Sequence, residues 1–260
     1  MVANSAISWT DHTWNPWIGC TKISPACDHC YAEAWAKRYG RAEWGDNPRQ
    51  RTSAATWKQP FKWNKETPGA FVFCASLADI FDNQVDPQWR ADAFDVMRAT
   101  PRLTYLLLTK RPGNIDKLSD AAGGLPVNAA IGCTVVTQDE ANRDVHRILS
   151  AGGPHRVRFV SIEPMLGPIK LHPSWLADYE TDNNGPIWSG LSWVICGGES
   201  GAGARPIDAE WVRSLRDQCR AASVPFHFKQ WGGFTAKAGG KELDGREWCE
   251  RPNLLSRHAA

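Results

Sequence analysis

The sequence predicts an α/β fold, a partial or closed (β/α) barrel, with a doubly wound open sheet as the alternative. Three observations lead to this prediction: apolar runs recur along the chain, helix-like stretches separate them, and a polar residue follows each run. The runs are nearly continuous rather than alternating, as expected of parallel strands that are covered on both faces. They span residues 70–75, 103–108, 129–136, 157–162, 191–196 and 224–228.

The stretches between the runs carry helix-start signals. Asp86 precedes a first-turn proline, which suits a helix beginning there. Thr137 and Glu140 have the spacing of a capping box, and Asp208 precedes apolar residues in helical spacing. Because strands and helices alternate, we expect a parallel sheet, with one further strand before residue 20.

The composition is that of a globular protein. The 260 residues suit one large or two small domains, and we predict a single α/β domain over 1–260 with a basic, aromatic-rich insertion at about 37–65. A net charge of +2 indicates no particular class of partner, and a hydrophobic content of 42% excludes a disordered chain. Since the apolar runs are too short to cross a bilayer and no leader-like segment is visible, we expect a cytoplasmic protein without a membrane partner.

Polar or ionisable residues follow all six runs. In a (β/α) barrel the carboxyl ends of the strands converge on one mouth, where barrel enzymes keep their active sites. The sequence therefore predicts a site there; the alternative is that these residues are polar only because turns are polar. The residues at or just after the ends of the runs are Ser76, Asp79, Thr109, Lys110, Arg111, Thr134, Ser161, Glu163, Gly197, Gly198, Glu199, Lys229 and Gln230.

The eight cysteines fall into different classes. Four disulfides are not expected, because a core of this size does not need them. Three cysteines lie in apolar runs and are predicted to be small core residues, namely Cys74, Cys133 and Cys196. Three others form a C-x6-C-x2-C pattern that predicts a metal site, namely Cys20, Cys27 and Cys30.

Two metal centres suit this trio of thiols. Three thiolates can hold three irons of a 4Fe–4S cluster and leave the fourth iron open to a ligand. Alternatively, His12 or His29 could complete a tetrahedral zinc site with them, although neither stands at a regular zinc-site spacing. The iron–sulfur cluster is the favoured interpretation.

At this point the chain resembles a known family, the phage-associated three-cysteine-motif proteins, which are similar to radical S-adenosylmethionine (radical SAM) proteins. The resemblance covers most of the chain. It rests on blocks in the same order, at residues 14–20, 27–33, 108–112, 161–168, 193–201 and 228–232.

The resemblance implies an enzyme with a barrel of the radical SAM type. Its open iron would bind the amino and carboxylate groups of S-adenosylmethionine, and reduction by an external electron donor would release a 5′-deoxyadenosyl radical. The motif departs from the common C-x3-C-x2-C loop, since six residues separate Cys20 from Cys27 and His29 stands where an aromatic residue precedes the last cysteine.

The residues after the strands are divided between two roles. The glycine-rich turn at 197–203 could bring backbone amides close to a ligand, although a tight turn would need glycine as well. Positive charge would suit an anionic substrate or a phosphate. The candidates for binding the cofactor are Ser76, Thr134, Glu163, Gly197, Gly198 and Glu199. The candidates for catalysis on the substrate side are Lys110, Arg111 and Lys229.

The segment 37–65 holds eight basic and two acidic residues, interleaved with aromatic ones. Cations that bind phosphates beside rings that stack on bases are typical of single-strand binding, so DNA or RNA is a possible partner. The alternative is an insertion that packs through its tryptophans and has a basic outer face.

The sequence thus predicts a radical SAM-type iron–sulfur enzyme that modifies or repairs a nucleic-acid base or nucleotide through a 5′-deoxyadenosyl radical, with lyase and transferase chemistry both open. The alternative is a non-catalytic protein that binds nucleic acid or an unidentified partner protein and has a structural metal site. A weaker third option is a non-radical use of the open iron.

Overall fold

A computed structural model describes residues 5–154, 156–176, 179–182, 185–188, 190–235 and 238–253. The chain divides into two compact units. Unit 1 comprises Met1–Ile23 and Cys30–Ile131, and unit 2 comprises Ser24–His29 and Gly132–Ala260. The extent of the domain expected over 1–260, and of its insertion, stays a prediction.

The described elements alternate between strands and helices for most of the chain. The strands are β1 (His12–Trp14), β2 (Trp17–Ile18), β3 (Gln50–Arg51), β4 (Phe71–Cys74), β5 (Thr104–Thr109), β6 (Ala129–Thr134), β7 (Arg158–Ile162), β8 (Tyr179–Asp182), β9 (Gly185–Trp188), β10 (Trp193–Cys196), β11 (Phe226–Phe228), β12 (Glu242–Leu243) and β13 (Arg246–Glu247). The helices are α1 (Tyr31–Arg38), α2 (Ala54–Glu66), α3 (Pro87–Arg98), α4 (Ile115–Asp120), α5 (Gln138–Ser150) and α6 (Ala209–Ala221). Short 3-10 turns span Pro25–Cys27, Pro112–Asn114 and Pro173–Leu176.

Seven strands form one sheet in the order β1-β4-β5-β6-β7-β10-β11. All six predicted apolar runs are strands of this sheet, and β1 is the strand expected before residue 20. The α/β prediction is therefore confirmed. The order has two edge strands, so among the described residues the sheet is not closed. Of the two barrel forms that the sequence predicted, the partial barrel is therefore the one that fits.

In unit 1, β4 lies between β1 and β5 and pairs with both in parallel. Its register places Val72 opposite His12 of β1 and opposite Tyr105 of β5. Helix α3 begins as predicted, because the Asp86 side chain accepts a hydrogen bond from the Gln88 N–H and proline follows the cap. Ala93, Phe94 and Met97 of α3 are fully buried, which ties the helix to the core of this unit.

In unit 2, β10 pairs in parallel with β7 and with β11. Helices α5 and α6 begin at the predicted caps, Thr137 and Asp208. The capping box at α5 is only half formed. The Glu140 carboxylate accepts hydrogen bonds from the Val136 N–H at 2.8 Å and from the Ser24 hydroxyl at 2.6 Å, rather than from the backbone of Thr137.

The cysteines of the sheet are core residues, as predicted. Cys74, Cys133 and Cys196 are fully buried, and all eight cysteines are free thiols. Burial raises the pKa of each of the three buried thiols well above its usual value. Within the described ranges, every helix is too short or too polar to span a membrane.

Candidate functional site

Cys20 follows β2 in unit 1 and lies half-buried beside a cation. Arg111 donates from Nη1 to the Cys20 Sγ at 3.6 Å and from Nη2 to the Thr21 carbonyl at 3.0 Å. Burial raises the pKa of the Cys20 thiol to about 11 and Asp79 adds to this, whereas Arg111 acts to lower it. One of the predicted substrate-side residues is therefore a direct neighbour of the first motif cysteine.

Asp79 holds Arg111 in place. Its carboxylate accepts hydrogen bonds from the Thr109 hydroxyl at 2.7 Å, from the Lys110 N–H at 3.1 Å and from Arg111 Nη1 at 3.0 Å. These contacts join the loop after β4, which holds Asp79, to the end of β5, and the two strands are parallel neighbours in the sheet. The predicted proximity of polar groups at these two strand ends is thus found within unit 1.

A second buried ion pair lies close to the first. Arg49 donates from Nε at 2.8 Å and from Nη2 at 2.6 Å to Asp82 Oδ2, and also bonds the Thr21 hydroxyl. Arg49 is only 5% exposed and Asp82 only 2%. One of the eight cations of the segment 37–65 is thus internal, and sequence patterns missed Asp82, for which no local signal exists.

The other two motif cysteines flank a tight turn. Cys27 ends the 3-10 turn that Ser24 caps, and Cys30 is the residue before α1. No group of three or more His, Cys, Asp or Glu side chains in the described part of the chain is arranged to hold a metal ion. The metal-ligand role of Cys20, Cys27 and Cys30 stays a prediction.

In unit 2, the loop after Cys27 is bonded to the glycine-rich turn through Glu199 and Arg205. Glu199 Oε2 lies 3.0 Å from His29 Nδ1 and accepts from Arg205 Nε at 2.9 Å. Arg205 also donates to the Pro25 carbonyl at 2.9 Å and to the Asp28 carboxylate at 3.1 Å. A single carboxylate with its guanidinium therefore bonds the chain on both sides of Cys27, at the Pro25 carbonyl and at the side chains of Asp28 and His29.

The charge state of Glu199 follows from these contacts. Burial acts to raise the pKa of its carboxyl, but hydrogen bonds from the side chain and backbone of Arg205 and from His29 outweigh it and lower the pKa to about 2. Both carboxylate oxygens are occupied. Sequence patterns singled out Glu199 as a cofactor ligand but gave no sign of Arg205.

The glycines of the turn have a packing role. The N–H of Gly198 donates to the Gln230 carbonyl at 2.8 Å, and a Cβ on Gly198 would lie 1.9 Å from the Trp231 carbonyl oxygen. At Gly197 the nearest atom to such a Cβ would be the Lys229 Cβ, at 3.4 Å. Close backbone approach thus explains Gly198 without a ligand, and cofactor contacts of Gly197 and Gly198 remain predictions.

In unit 2, a residue predicted to bind the cofactor, Glu163, contacts one predicted to act on the substrate side, Lys229. The Lys229 ammonium forms an ion pair with the Glu163 carboxylate, and Gln230 Nε2 donates to the same carboxylate at 3.1 Å. Both charged side chains are about one-fifth exposed, at 19% and 21%. The pair therefore lies at the edge of the core.

The remaining predicted residues have separate surroundings. The Ser76 hydroxyl accepts a hydrogen bond from the Asn15 side-chain amide at 3.1 Å, and the Ser76 carbonyl accepts one from the Tyr31 hydroxyl at 2.7 Å. Tyr31, the residue after Cys30, is therefore bonded to the chain just after β4. Thr134 is buried at the end of β6. Lys110 is half-buried, and within the described ranges its ammonium has no partner.

Comparison with known proteins gives a fold and a family. No curated protein matches the chain. The chain is similar to solved structures of spore photoproduct lyase: a cysteine-to-serine mutant gives a TM-score of 0.52 at 13% identity, with 85% of this chain and 75% of the lyase chain covered. Two further structures of that lyase are less similar. Its complex with dinucleoside spore photoproduct gives 0.49 at 13% identity over 84% of this chain and 63% of the other. A double mutant with bound AdoMet and the same dinucleoside gives 0.44 at 14% identity over 63% and 48%.

The chain therefore spans less than two thirds of the lyase chains in those two complexes. The similarity to the cysteine-to-serine mutant, at a TM-score of 0.52, shows a shared α/β fold. The model of the family DUF5131, described as a protein of unknown function, matches residues 4–252. The chain belongs to this family, DUF5131.

Proposed function

We propose that this protein is a radical SAM-type iron–sulfur enzyme that acts on a nucleic-acid base or nucleotide. The observation that carries the proposal is the contact between Arg111 and the Cys20 thiol, in a chain whose three motif cysteines are all free. The finer family assignment, to the phage-associated three-cysteine-motif proteins, is part of the proposal.

The donor set suits an iron–sulfur cluster better than zinc. Thiolates are the usual ligands of such clusters, and the guanidinium beside Cys20 opposes the rise in the thiol's pKa that burial causes. The two histidines that could complete a zinc site are engaged elsewhere. His12 is fully buried, stacks on Trp63 at 4.5 Å and bonds the Thr67 hydroxyl at 2.9 Å, while His29 bonds Glu199. The residues present therefore fit the cluster.

In this proposal Cys20, Cys27 and Cys30 would hold the cluster, which when bound supplies the electron that cleaves S-adenosylmethionine. The chain's own residues would hold these ligands and bind the reactants. Arg111 and Asp79 hold the backbone at Cys20, and Glu199 with Arg205 holds it around Cys27. The other residues would contact cofactor or substrate: Ser76, Lys110, Thr134, Glu163, Gly197, Gly198 and Lys229.

The similar solved structures support only one part of the proposal, the choice of a radical SAM-type reaction. Spore photoproduct lyase was solved in one structure with AdoMet and dinucleoside spore photoproduct bound, and its cysteine-to-serine mutant shares the fold of this chain at a TM-score of 0.52. The proposal extends this to a nucleic-acid substrate, contacted by the segment 37–65, and to an external electron donor in the cytoplasm.

Anaerobic reconstitution with iron and sulfide tests the proposal. We expect an absorbance band near about 400 nm, which is typical of cysteine-ligated iron–sulfur centres. The Cys27→Ala variant should lose this band, and Cys249→Ala, which changes an exposed cysteine outside the motif, should keep it. Purified protein that holds stoichiometric zinc would contradict the assignment.

Cofactor cleavage is tested separately. With dithionite and S-adenosylmethionine, the reconstituted protein should form 5′-deoxyadenosine. An intact cluster that yields none would favour the alternative, a nucleic-acid- or partner-binding protein with a structural metal centre.

A further inference from the structure

A cavity of about 320 Å³ lies within unit 1. Its lining combines residues between positions 13 and 18, Trp35 of α1, residues between positions 41 and 59 of the segment 37–65, and Leu77. Two arginines and no acidic residue contribute to the lining. The lining residues that matter here are Asn15, Trp35, Arg41, Gln50, Arg51 and Gln59.

Three of these side chains carry polar groups that the protein itself does not use. Arg41 is exposed, and no ion pair or side-chain hydrogen bond to it occurs among the residues that the structure describes. The same holds, within those residues, for the amides of Gln50 and Gln59. The cavity thus presents one guanidinium, two amides that can both donate and accept, and the indole of Trp35.

Arg51 is held in place at the same wall. Its guanidinium stacks over Trp57 at 4.0 Å from the ring centroid and lies 5.7 Å from that of Trp89. One terminal nitrogen donates to Asp92 at 2.7 Å, which leaves further N–H groups for a ligand. A stacked, ion-paired arginine loses little freedom on binding, so this second cation is pre-organised.

We infer that this cavity binds one nucleotide unit of a single strand. Its volume is at the lower end for small-molecule pockets and exceeds what a bare phosphate needs. The guanidinium of Arg41 suits the phosphate, the Gln50 and Gln59 amides suit the edges of a base, and the Trp35 indole suits its face. As a statement about the enzyme's substrate the inference rests on the proposed function; as a statement about binding it rests on the cavity alone.

Calorimetric titration of the full-length protein with thymidine 5′-monophosphate tests the inference. Arg41→Gln should lower the affinity roughly tenfold, because a charge-assisted hydrogen bond is lost. Gln59→Ala should lower it severalfold. Lys117→Gln is the control, since it removes an exposed cation of unit 1 that lies outside the segment 37–65 and does not line the cavity, and it should leave mononucleotide affinity unchanged.

Thymidine and inorganic phosphate, tested alone, should each bind more weakly than the mononucleotide. Short oligothymidylate and oligouridylate then distinguish a DNA strand from an RNA strand as the source of the nucleotide. Equal losses in Arg41→Gln and Lys117→Gln would overturn the inference, because they indicate general charge attraction. So would phosphate that binds as tightly as the mononucleotide.

The failures of the two proposals are distinguishable. Wild-type protein that forms 5′-deoxyadenosine but does not bind the mononucleotide refutes the cavity's role and leaves the radical SAM assignment intact. Protein that binds the mononucleotide in the cavity but assembles no cluster supports the cavity and refutes the enzyme. Circular dichroism of each variant establishes that it is folded.

Discussion

The guanidinium of Arg111 lies between the Sγ of Cys20, at 3.6 Å, and the carboxylate of Asp79, at 3.0 Å. The two partners come from distant parts of the sequence, and the arginine links them with hydrogen bonds in fixed directions. This arrangement holds the first motif cysteine against the end of the parallel sheet in unit 1.

Replacing Arg111 by lysine should weaken cluster binding. A lysine keeps the charge but lacks the planar fork that reaches the thiol, the Thr21 carbonyl and Asp79 together. Groups that orient metal ligands are worth about 10- to 100-fold in metal affinity, so we expect a loss of that order. Iron per chain and the rate of cluster loss to a chelator measure it.

Arg102→Gln is the control, because it changes an exposed arginine of the same unit. If Arg111→Lys contains as much iron per chain as this control and loses its cluster to the chelator at the same rate, Arg111 does not support the cluster.

Glu199→Gln should loosen the loop around Cys27. The change removes the ion pair with Arg205, and we expect a loss of about 2 kcal/mol in the free energy of unfolding at neutral pH. Urea denaturation measures this loss, with Glu210→Gln, on the exposed face of α6, as the control.

The pH dependence gives the same carboxylate a second test. Its folded pKa of about 2 is below the usual 4.5, so its contribution to stability is complete above about pH 4.5 and declines as the pH falls toward 2. The Glu199→Gln variant should lack this part of the acid dependence. An unaltered slope would contradict the assigned ion pair.

His227→Leu should make stability less sensitive to mild acid. Burial first, then the positive charges of Arg251, Lys229 and Lys241, lower the pKa of His227 to about 4 from 6.5. The contribution is therefore complete above pH 6.5 and declines as the pH falls toward 4, by roughly 3 kcal/mol in full. Melting temperatures between pH 7 and 4 should fall less in the variant than in wild type. His146→Leu, which changes an exposed histidine, should behave like wild type.

Gly198→Ala should destabilise the protein by at least about 3 kcal/mol, because its Cβ would overlap the Trp231 carbonyl and backbone would have to move. Gly197→Ala is the matched variant next to it. Its Cβ finds room at 3.4 Å from the Lys229 Cβ, so we expect a loss below about 1 kcal/mol. Thermal unfolding compares the two, and equal losses would disprove the packing role of Gly198.

Changing Lys58 and Lys62 together to alanine should weaken the binding of a single strand and flatten its salt dependence, since each cation near a phosphate releases counterions. Filter binding over a range of salt concentrations measures the slope. Lys117→Ala, an exposed lysine of unit 1 outside the segment 37–65, is the control. An unchanged slope in the double variant would remove this surface from nucleic-acid binding.

Local features of the sequence determined the strands and most helix starts. The run at 103–108 is apolar because β5 is covered on both faces, and Asp86, Thr137 and Asp208 are caps because their side chains bond N–H groups only a few residues away. The buried cysteines of the sheet followed from the same apolar runs. The spacing of Cys20, Cys27 and Cys30 is also sufficient to identify the three-cysteine motif in the sequence.

Only the tertiary structure decided which charges meet. Arg111 reaches Cys20 across 91 positions, and His29 meets Glu199 across 170. Arg49, counted in the sequence among the cations of a basic segment, is buried against Asp82, and the approach of another backbone requires glycine at position 198. Such partners depend on which strand ends become neighbours in space. Residue spacing along the chain carries no information about that, whereas burial patterns and caps act within a few residues.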